Sequence, residues 1–578
     1  MTQGVTAQVV VSPYELDIPT IDIASFVLSS GTASSRIQPQ YFDATNPSKC
    51  FSLEQAETYV KQVAHGLRKI LNPGDKVLLY SGNRLFFPVL LWGTVAAGCV
   101  FTAASPSASQ NELEYQLRDS EASILITEPE NVSTSLKAAA AVGMLADRVF
   151  LFADPGEDLS RYRTLSTRSW LTIWSPVEEV GTWSWTKLRT LEEVKSSTAV
   201  INYSICATRT TGIPKGVELS HYNLVANSTQ LVHKRSIVGA GASALARKSR
   251  LDSSGERWLA PLPMYHAYGQ TYYCMNAARI GAKVFIMPKF NVDKFLLYLD
   301  IYRITFMTTV PVVLNMLAKQ QHPQKYNLNA IESVVTGSAP LNPETGTLIE
   351  KMYLKPGVTI KQGLGMTECT CSVAGFGPDE ESDPRSVGWL NANCRARVVP
   401  IEDRDFSSSG PPGVFIGELW FSGPNVMKGY YKKAKETSGA IVHEQGHRWL
   451  RTGDVGYIDE KGHIYIVDRL KELIKVKGLQ VAPAELELTL LTHPDVADAA
   501  VVGAKINNEE YPRAFVVKKT DGKVKEEELK DLIKSRFALH KHLTGGVYFV
   551  DTIPRTGSGK VIRRALPNPG PVVRPTKL

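Results

Sequence analysis

Thr210-Thr211-Gly212-Ile213-Pro214-Lys215-Gly216 places two hydroxyls, two glycines and a lysine in one short stretch, directly after the apolar run Ala199-Val200-Ile201. Glycine lets a backbone approach a ligand closely and reach positive φ, so that successive N–H groups can converge on an anion. Threonine hydroxyls and a lysine suit phosphate oxygens, the lysine as a compact point charge. A tight turn closing a strand at Ile213-Pro214 would read the same from these residues alone. The Walker phosphate loop does not fit, because Lys215 lies between a proline and a glycine instead of preceding a helix-opening Ser or Thr.

Four further stretches give this one its meaning. Gln362-Gly363-Leu364-Gly365-Met366-Thr367-Glu368 repeats the recipe: glycines for close approach, a hydroxyl, then a carboxylate for a hard cation. Magnesium on a phosphate chain takes only one or two protein carboxylates, so Glu368 alone suffices as a metal ligand. Downstream come Thr452-Gly453-Asp454, then Asp468-Arg469-Leu470-Lys471-Glu472-Leu473-Ile474-Lys475-Val476-Lys477-Gly478, and finally Pro554-Arg555-Thr556-Gly557-Ser558-Gly559-Lys560. Each alone reads as an ordinary loop, and Asp468 with Arg469 as an ordinary surface ion pair. Together, in this order, they are not coincidental.

The set closely resembles the adenylate-forming (AMP-binding) enzyme superfamily, which includes acyl-CoA synthetases, 4-coumarate–CoA ligases, firefly luciferase and the adenylation domains of peptide synthetases. The run from Asp468 to Glu485, DRLKELIKVKGLQVAPAE, is similar almost residue for residue to the 4-coumarate–CoA-ligase-like branch. The resemblance extends from the mid-twenties to Lys560. It implies an α/β fold: a large N-terminal AMP-binding domain of mixed β-sheets and helices over 1–468, and a small mobile C-terminal α/β domain over 469–566. The hinge is expected near Lys471, with a flexible tail over 567–578.

Residue patterns agree with alternating strands and helices. Strand-like runs are Lys76 to Tyr80, Ser123 to Thr127, Ala282 to Met287 and Ala499 to Gly503; helical spacing appears from Ser52 to Lys69 and from Lys525 to Arg536. Residues 454–468 read as a hairpin. Phe86 to Ser105 carries no charge and approaches a membrane span in length, but Pro88, Gly93, Gly98 and Ser105-Pro106 interrupt it. It is expected to be a buried helix over roughly 87–97 followed by a buried strand over roughly 99–103. The polar, basic segment 234–256 is expected to be a mobile loop with a short helix and is given no chemistry.

With 578 residues the chain exceeds one ordinary core. Its 43% hydrophobic and 21% charged residues exclude a disordered chain. A net charge of +8 suits attraction of ATP and CoA, but its scatter forms no stripe for DNA or RNA. Seven dispersed cysteines show no paired zinc spacing and fit a reducing compartment. The N-terminus lacks the basic and apolar regions of a secretory signal. Thr576-Lys577-Leu578 approximates the Ser-Lys-Leu address read by the peroxisomal import receptor, so both peroxisomal and cytoplasmic locations are open.

The resemblance also implies a reaction. A carboxylic acid, aryl or fatty, attacks the α-phosphate of ATP to give an acyl-adenylate and pyrophosphate; a thiol, CoA, then displaces AMP. Carried over by motif, Thr210, Thr211, Gly212 and Lys215 would hold the β- and γ-phosphates. Thr367 would contact the α-phosphate and Glu368 the magnesium. Gly363, Leu364 and Gly365 would face the nucleotide, and Asp454 with Arg469 its ribose. Lys560 would bridge the acyl carboxylate and the α-phosphate. Rotation about Lys471 would then exchange Lys560 for the face bearing Lys475, Lys477, Gly478 and Gln480, along which pantetheine approaches. His266, in Pro263-Met264-Tyr265-His266-Ala267-Tyr268-Gly269, resembles the family's gate beside the acyl pocket, whose other candidates are Tyr268, Gly337, Gln362 and Gly363.

Two departures stand out. Where the family reads Tyr-Ser-Ser-Gly-Thr-Thr-Gly, this chain has Ile205-Cys206-Ala207-Thr208-Arg209 in place of the second Ser and its Gly, a net insertion of three between Tyr203-Ser204 and Thr210. A gene-model error, a rearranged but active loop, and impaired ATP use are each consistent with that insertion. Leu364 replaces the usual aromatic that stacks on adenine. The leading expectation is therefore an acid–CoA ligase; the alternatives are an adenylating enzyme that loads a carrier-protein phosphopantetheine, and a catalytically weak nucleotide-binding homologue.

Overall fold

Lys215 and the stretch Gln362 to Glu368 border the carboxyl ends of parallel strands in the computed structural model, which describes residues 9–162, 167–204, 214–320, 322–401, 411, 414–476, 479–506, 509–556 and 559–567. Lys76–Tyr80 lies between Val100–Ala104 and Ala122–Thr127, parallel to both, inside an eight-stranded sheet. Thr198–Ser204 joins that sheet parallel to Val100–Ala104, and Lys215–Ser220 turns back antiparallel beside it, with Lys215 opposite Ser204. Ser204 and Lys215 thus sit at the carboxyl edge of the parallel strands, where open α/β sheets bind ligands.

A second, seven-stranded sheet runs Ile360–Gln362, Ser333–Thr336, Phe306–Thr309, Arg257–Ala260, Lys283–Ile286, Pro39–Asp43, Asn46–Ser52, parallel except for the final pair. Gly337 follows the second of these strands and Gly363 the first, which brings the two glycine turns side by side. A third sheet is antiparallel. It includes Val9–Val11, Arg395–Val399, Gly417–Ser422 and His447–Ile458, and Ile464–Arg469 closes the expected hairpin by pairing Asp454 with Arg469.

The charge-free stretch forms a helix, Phe87–Ala96, and a strand, Val100–Ala104. Every residue of that helix is buried. It can be apolar all round because it is packed on all sides; a side chain at Gly93 would collide with Val63. No helix among the described residues is long and apolar enough to cross a membrane. Ser52 caps Leu53–Arg68 reciprocally with Gln55, which fixes the start of that amphipathic helix at its sequence signal.

The expectation for 234–256 needs correction. Ala242–Ser254 is a 13-residue helix. Arg247 makes a two-pronged ion pair with Asp379, and Arg250 does the same with Glu332. The basic residues that suggested a solvated loop are the groups that pin the segment down.

A separate hydrophobic core begins at Ile474 and includes Val476, Leu486, Val501, Val516 and Ile533. Around it lie the long antiparallel pair Val496–Ile506 and Glu509–Lys518, the parallel strand Val547–Phe549, and helices Pro483–Leu491 and Glu526–Arg536. Asp468 ties the two bodies together. Its carboxylate accepts N–H bonds from Arg469 and from Ala484 in the first turn of Pro483–Leu491.

Candidate active site

Loop 363–368 is held open by backbone packing rather than by special dihedrals. Leu364 N–H donates to Ala374 O, and an alanine Cβ at Gly365 would lie 1.8 Å from Cys371 O. Beyond it, Thr367–Cys369 makes a single tight turn that buries Thr367 and Glu368. Glu368 Oε1 accepts from the Tyr430 hydroxyl at 3.0 Å, and Met427 N–H donates to Glu368 O. Lys215 is buried with its ammonium 5.1 Å from the centre of the Tyr430 ring. Tyr430 therefore links the two phosphate-type motifs through one ring.

Opposite stands the loop of Lys560. Arg555 pairs with Asp498 and donates to Gly559 O, and Thr556 exchanges hydrogen bonds with Lys560. Gly559 has φ +85°, a left-handed conformation that glycine takes freely. This staple fixes the last turn before the lysine. Gly557 and Ser558 lie outside the described residues.

A cavity of about 1040 Å³ receives Lys560, Thr367, Glu368, His266, Lys215, Arg469, Lys471, Gly363, Leu364, Gly365, Tyr268 and Gly337. Burial pushes the His266 imidazole down to about 4, and the positive charge of Lys560 adds to that shift. His266 is thus neutral near pH 7, and its Nδ1 accepts the Tyr268 N–H. Asp454 lies at the neighbouring space of about 1150 Å³, which shares Arg469, Lys471 and Lys560 with the first. Its carboxylate is buried and meets Arg469 Nε at 3.1 Å.

Other expected residues are placed differently. Gln362 lines the neighbouring space and not the main cavity, and its side chain accepts from Leu341 N–H and donates to Pro384 O, binding two loops together. Lys475 and Gln480 are cross-strand partners on the ribbon Ile474–Val476 and Leu479–Val481, outside the cavity. Lys475 is exposed, while Gln480 is buried with its Oε1 unpartnered. Thr210, Thr211, Gly212, Lys477, Gly478, the 205–209 insertion and Thr576–Leu578 lie outside the described residues. Tyr430, Tyr272 and Cys371 are wall residues that motif reading missed; Gly429-Tyr430 faces Val217-Glu218 only through a long-range strand pair.

One carboxylate suits the cation site. Among the described residues no group of three His, Cys, Asp or Glu side chains could hold a metal by itself. The buried Glu368 carboxylate on the wall of the main cavity fits magnesium, which takes few protein carboxylates and retains water and phosphate ligands.

The comparisons agree over nearly the full length. The family model described as AMP-binding enzyme matches residues 38–431, and that of the AMP-binding enzyme C-terminal domain matches 485–560. A phenylacetyl-CoA ligase, epaB, of Aspergillus niger is 33% identical over 557 residues, covering 95% of this chain and 97% of its own. A peroxisomal OPC-8:0-CoA ligase of Arabidopsis thaliana is also 33% identical, covering 95% and 93%. Among solved structures, an ATP-bound RpMatB-BxBclM chimera superposes with a TM-score of 0.75 at 25% identity, covering 94% and 97%. The anthranilate CoA ligase AuaEII, bound to anthranoyl-AMP, gives 0.77 at 20% identity, which speaks for the fold alone. The chain belongs to the AMP-binding enzyme family, with its large domain and its smaller C-terminal domain both present.

Proposed function

We propose that this protein is an AMP-forming acid–CoA ligase that activates a carboxylic acid with ATP and transfers the acyl group to CoA. The observation that carries the reading is the convergence of Lys560, Thr367, Glu368 and the His266–Tyr268 wall on one cavity of about 1040 Å³. A carboxylate is a poor acyl donor, because its leaving group would be oxide. Attack of its oxygen on the α-phosphorus expels pyrophosphate and leaves a mixed anhydride with AMP. A thiolate then adds to the acyl carbon, and AMP leaves with the electron pair.

Catalysis of the first step is positioning plus neutralisation of charge. Lys560 lies between the two anions and offsets their repulsion, while Thr367 donates to the α-phosphate. Lys215, with Thr210, Thr211 and Gly212, holds the outer phosphates. Glu368 would hold magnesium, whose charge offsets that developing on the phosphate oxygens. Asp454 accepts from the ribose hydroxyls and is oriented by Arg469. Neutral His266 closes the acyl side without adding a third charge beside Lys560.

The tie from Asp468 to the helix at Ala484 and the Lys560 staple belong to the adenylating arrangement. Rotation near Lys471 withdraws Lys560 and brings Lys475, Lys477, Gly478 and Gln480 into play for the thioester step. That motion accounts for residues outside the cavity. The peroxisomal Arabidopsis relative and the tail Thr576-Lys577-Leu578 support import into peroxisomes through the import receptor.

The test is pyrophosphate release from ATP and magnesium across a panel of aryl and fatty acids, with and without CoA. Acid-dependent release with an acyl-CoA product is expected. Release that yields an adenylate but no thioester with CoA would point to a carrier-bound phosphopantetheine instead.

A further inference from the structure

Both ends of the phosphate loop are tied to a single helix. Ser204 and Lys215 face each other across an antiparallel strand pair, so the two ends of the loop that spans 205–213 stand side by side. Next to them lies the helix Gln110–Ser120, whose start is fixed by reciprocal capping between Ser109 and Glu112. Gln116 holds the helix to the sheet, donating to Thr102 Oγ1 and Ala103 O. Tyr115 and Asp119, one turn apart and therefore on one face, reach the base of the loop.

On the outgoing side Tyr203 donates its hydroxyl to Asp119 Oδ2 at 2.9 Å, and Lys433 pairs with the other oxygen of that carboxylate. Burial, and then the Asp119 charge, push the Tyr203 phenol up, so it stays a donor. On the returning side Tyr115 donates to Pro214 O at 2.8 Å, one residue before Lys215. The Tyr115 and Tyr203 rings meet edge to face with centroids 6.4 Å apart, so the two ties brace each other. Lys433 extends the connection. Its N–H donates to Tyr430 O, and the Tyr430 hydroxyl donates to Glu368. Asp119 therefore bears on the base of the phosphate loop and on the carboxylate assigned to magnesium.

The net insertion of three makes 205–213 nine residues long instead of six. With its ends fixed, a loop half as long again loses only about twofold in closure, because the cost grows as the three-halves power of length. A base free to shift is far more damaging, since about an ångström of misplacement costs a positioning site about 100-fold. We propose that Asp119 and Tyr115 are positioning residues that fix the base of the phosphate loop, so that the lengthened loop still holds ATP. On this view, which rests on the ATP step of the acid–CoA ligase reading, the insertion belongs to a working loop.

The experiment is calorimetric binding of ATP with magnesium, and of AMP, to the full chain and four variants. AMP lacks the outer phosphates assigned to Thr210, Thr211, Gly212 and Lys215, so a fault in the loop's base falls on ATP alone. Asp119→Ala, which removes the acceptor of both Tyr203 and Lys433, is expected to weaken ATP about tenfold and leave AMP within about twofold. Tyr115→Phe, which removes one neutral hydrogen bond, is expected to weaken ATP about fivefold and spare AMP likewise. Asp119→Asn can still bond both partners and is expected to stay within about threefold of the parent. Arg118→Met, on the same helix but bonded to Ala141 O away from the loop, should leave the ratio of ATP to AMP affinity unchanged. Equal losses for ATP and AMP, or no loss for ATP in Asp119→Ala, would overturn the proposal, as would a parent that binds AMP but not ATP. Pyrophosphate release by the parent across the acid panel is measured alongside. Selective loss of ATP in the variants, with no acid releasing pyrophosphate, would support the positioning role and overturn the ligase. Acid-dependent release by a parent whose variants bind ATP unchanged would do the reverse.

Discussion

An alanine at position 365 would bring its Cβ to 1.8 Å from Cys371 O and 2.9 Å from Cys371 C. Both atoms are backbone, so no side chain can swing aside. The two strands of the loop must part by more than about 1 Å before the contact is tolerable, and Thr367 and Glu368 move with them. A displacement of that size in a positioning site lowers rate by about 100-fold. Gly363, two residues earlier in the same motif, is the control. A Cβ there meets Ala374 O at 3.3 Å, a contact relieved by a few tenths of an ångström. Gly365→Ala is therefore expected to lose about 100-fold in kcat/KM for acid-dependent pyrophosphate release, with about 1–3 kcal/mol of stability lost to overpacking. Gly363→Ala should stay within about tenfold and discriminate mainly against bulky acids. Steady-state kinetics with a melting curve for each variant reads both. Equal activities would refute the claim that the Cys371 carbonyl is why position 365 is glycine.

Two further outcomes concern the joint between the domains. Burial raises the Asp468 carboxyl to about 7, against the N–H bonds from Ala484 and Arg469 that favour its charge. The folded protein holds a proton there that the unfolded chain releases. Stability from this group is full below about pH 4 and is lost as pH rises through 7, with a ceiling of about 4 kcal/mol; calorimetry of the small domain from pH 5 to 8 should show the slope, and Asp468→Asn should flatten it. Arg563 reaches Glu472 at 3.2 Å and Glu487 at 3.0 Å. Burial already raises the Glu487 carboxyl, with Arg563 opposing it. Arg563→Met is therefore expected to cost about 1–3 kcal/mol, more at pH 8 than at pH 6, because burial favours the protonated Glu487 carboxyl and rising pH removes that relief. Equal cost at both pH values would count against the network.

What the sequence showed and hid follows from the range of the interactions. Phe87–Ala96 and Val100–Ala104 were legible because unbroken apolarity bounded by glycine and proline is local information. The extent and anchoring of Ala242–Ser254 were not, because the partners that hold it, Asp379 and Glu332, lie far along the chain. The same division runs through the site. Glu368, Lys560 and Asp454 announce themselves within short motifs. Tyr430 acquires its place beside Glu368 only when Gly429–Tyr430 pairs with Lys215–Ser220. Gln362 belongs to a motif yet spends its amide tying Leu341 to Pro384, so motif membership did not give its contacts.

The central claim is that Lys560 acts in adenylation and leaves before thioester formation. Lys560→Ala should be followed by rapid quench through each half-reaction separately. Acid-dependent pyrophosphate release is expected to fall by about 100-fold or more, as for loss of one charge-stabilising donor. Thioester formation from a supplied acyl-adenylate and CoA should stay within about threefold of the parent. Equal losses in both half-reactions, or none in the first, would contradict the account.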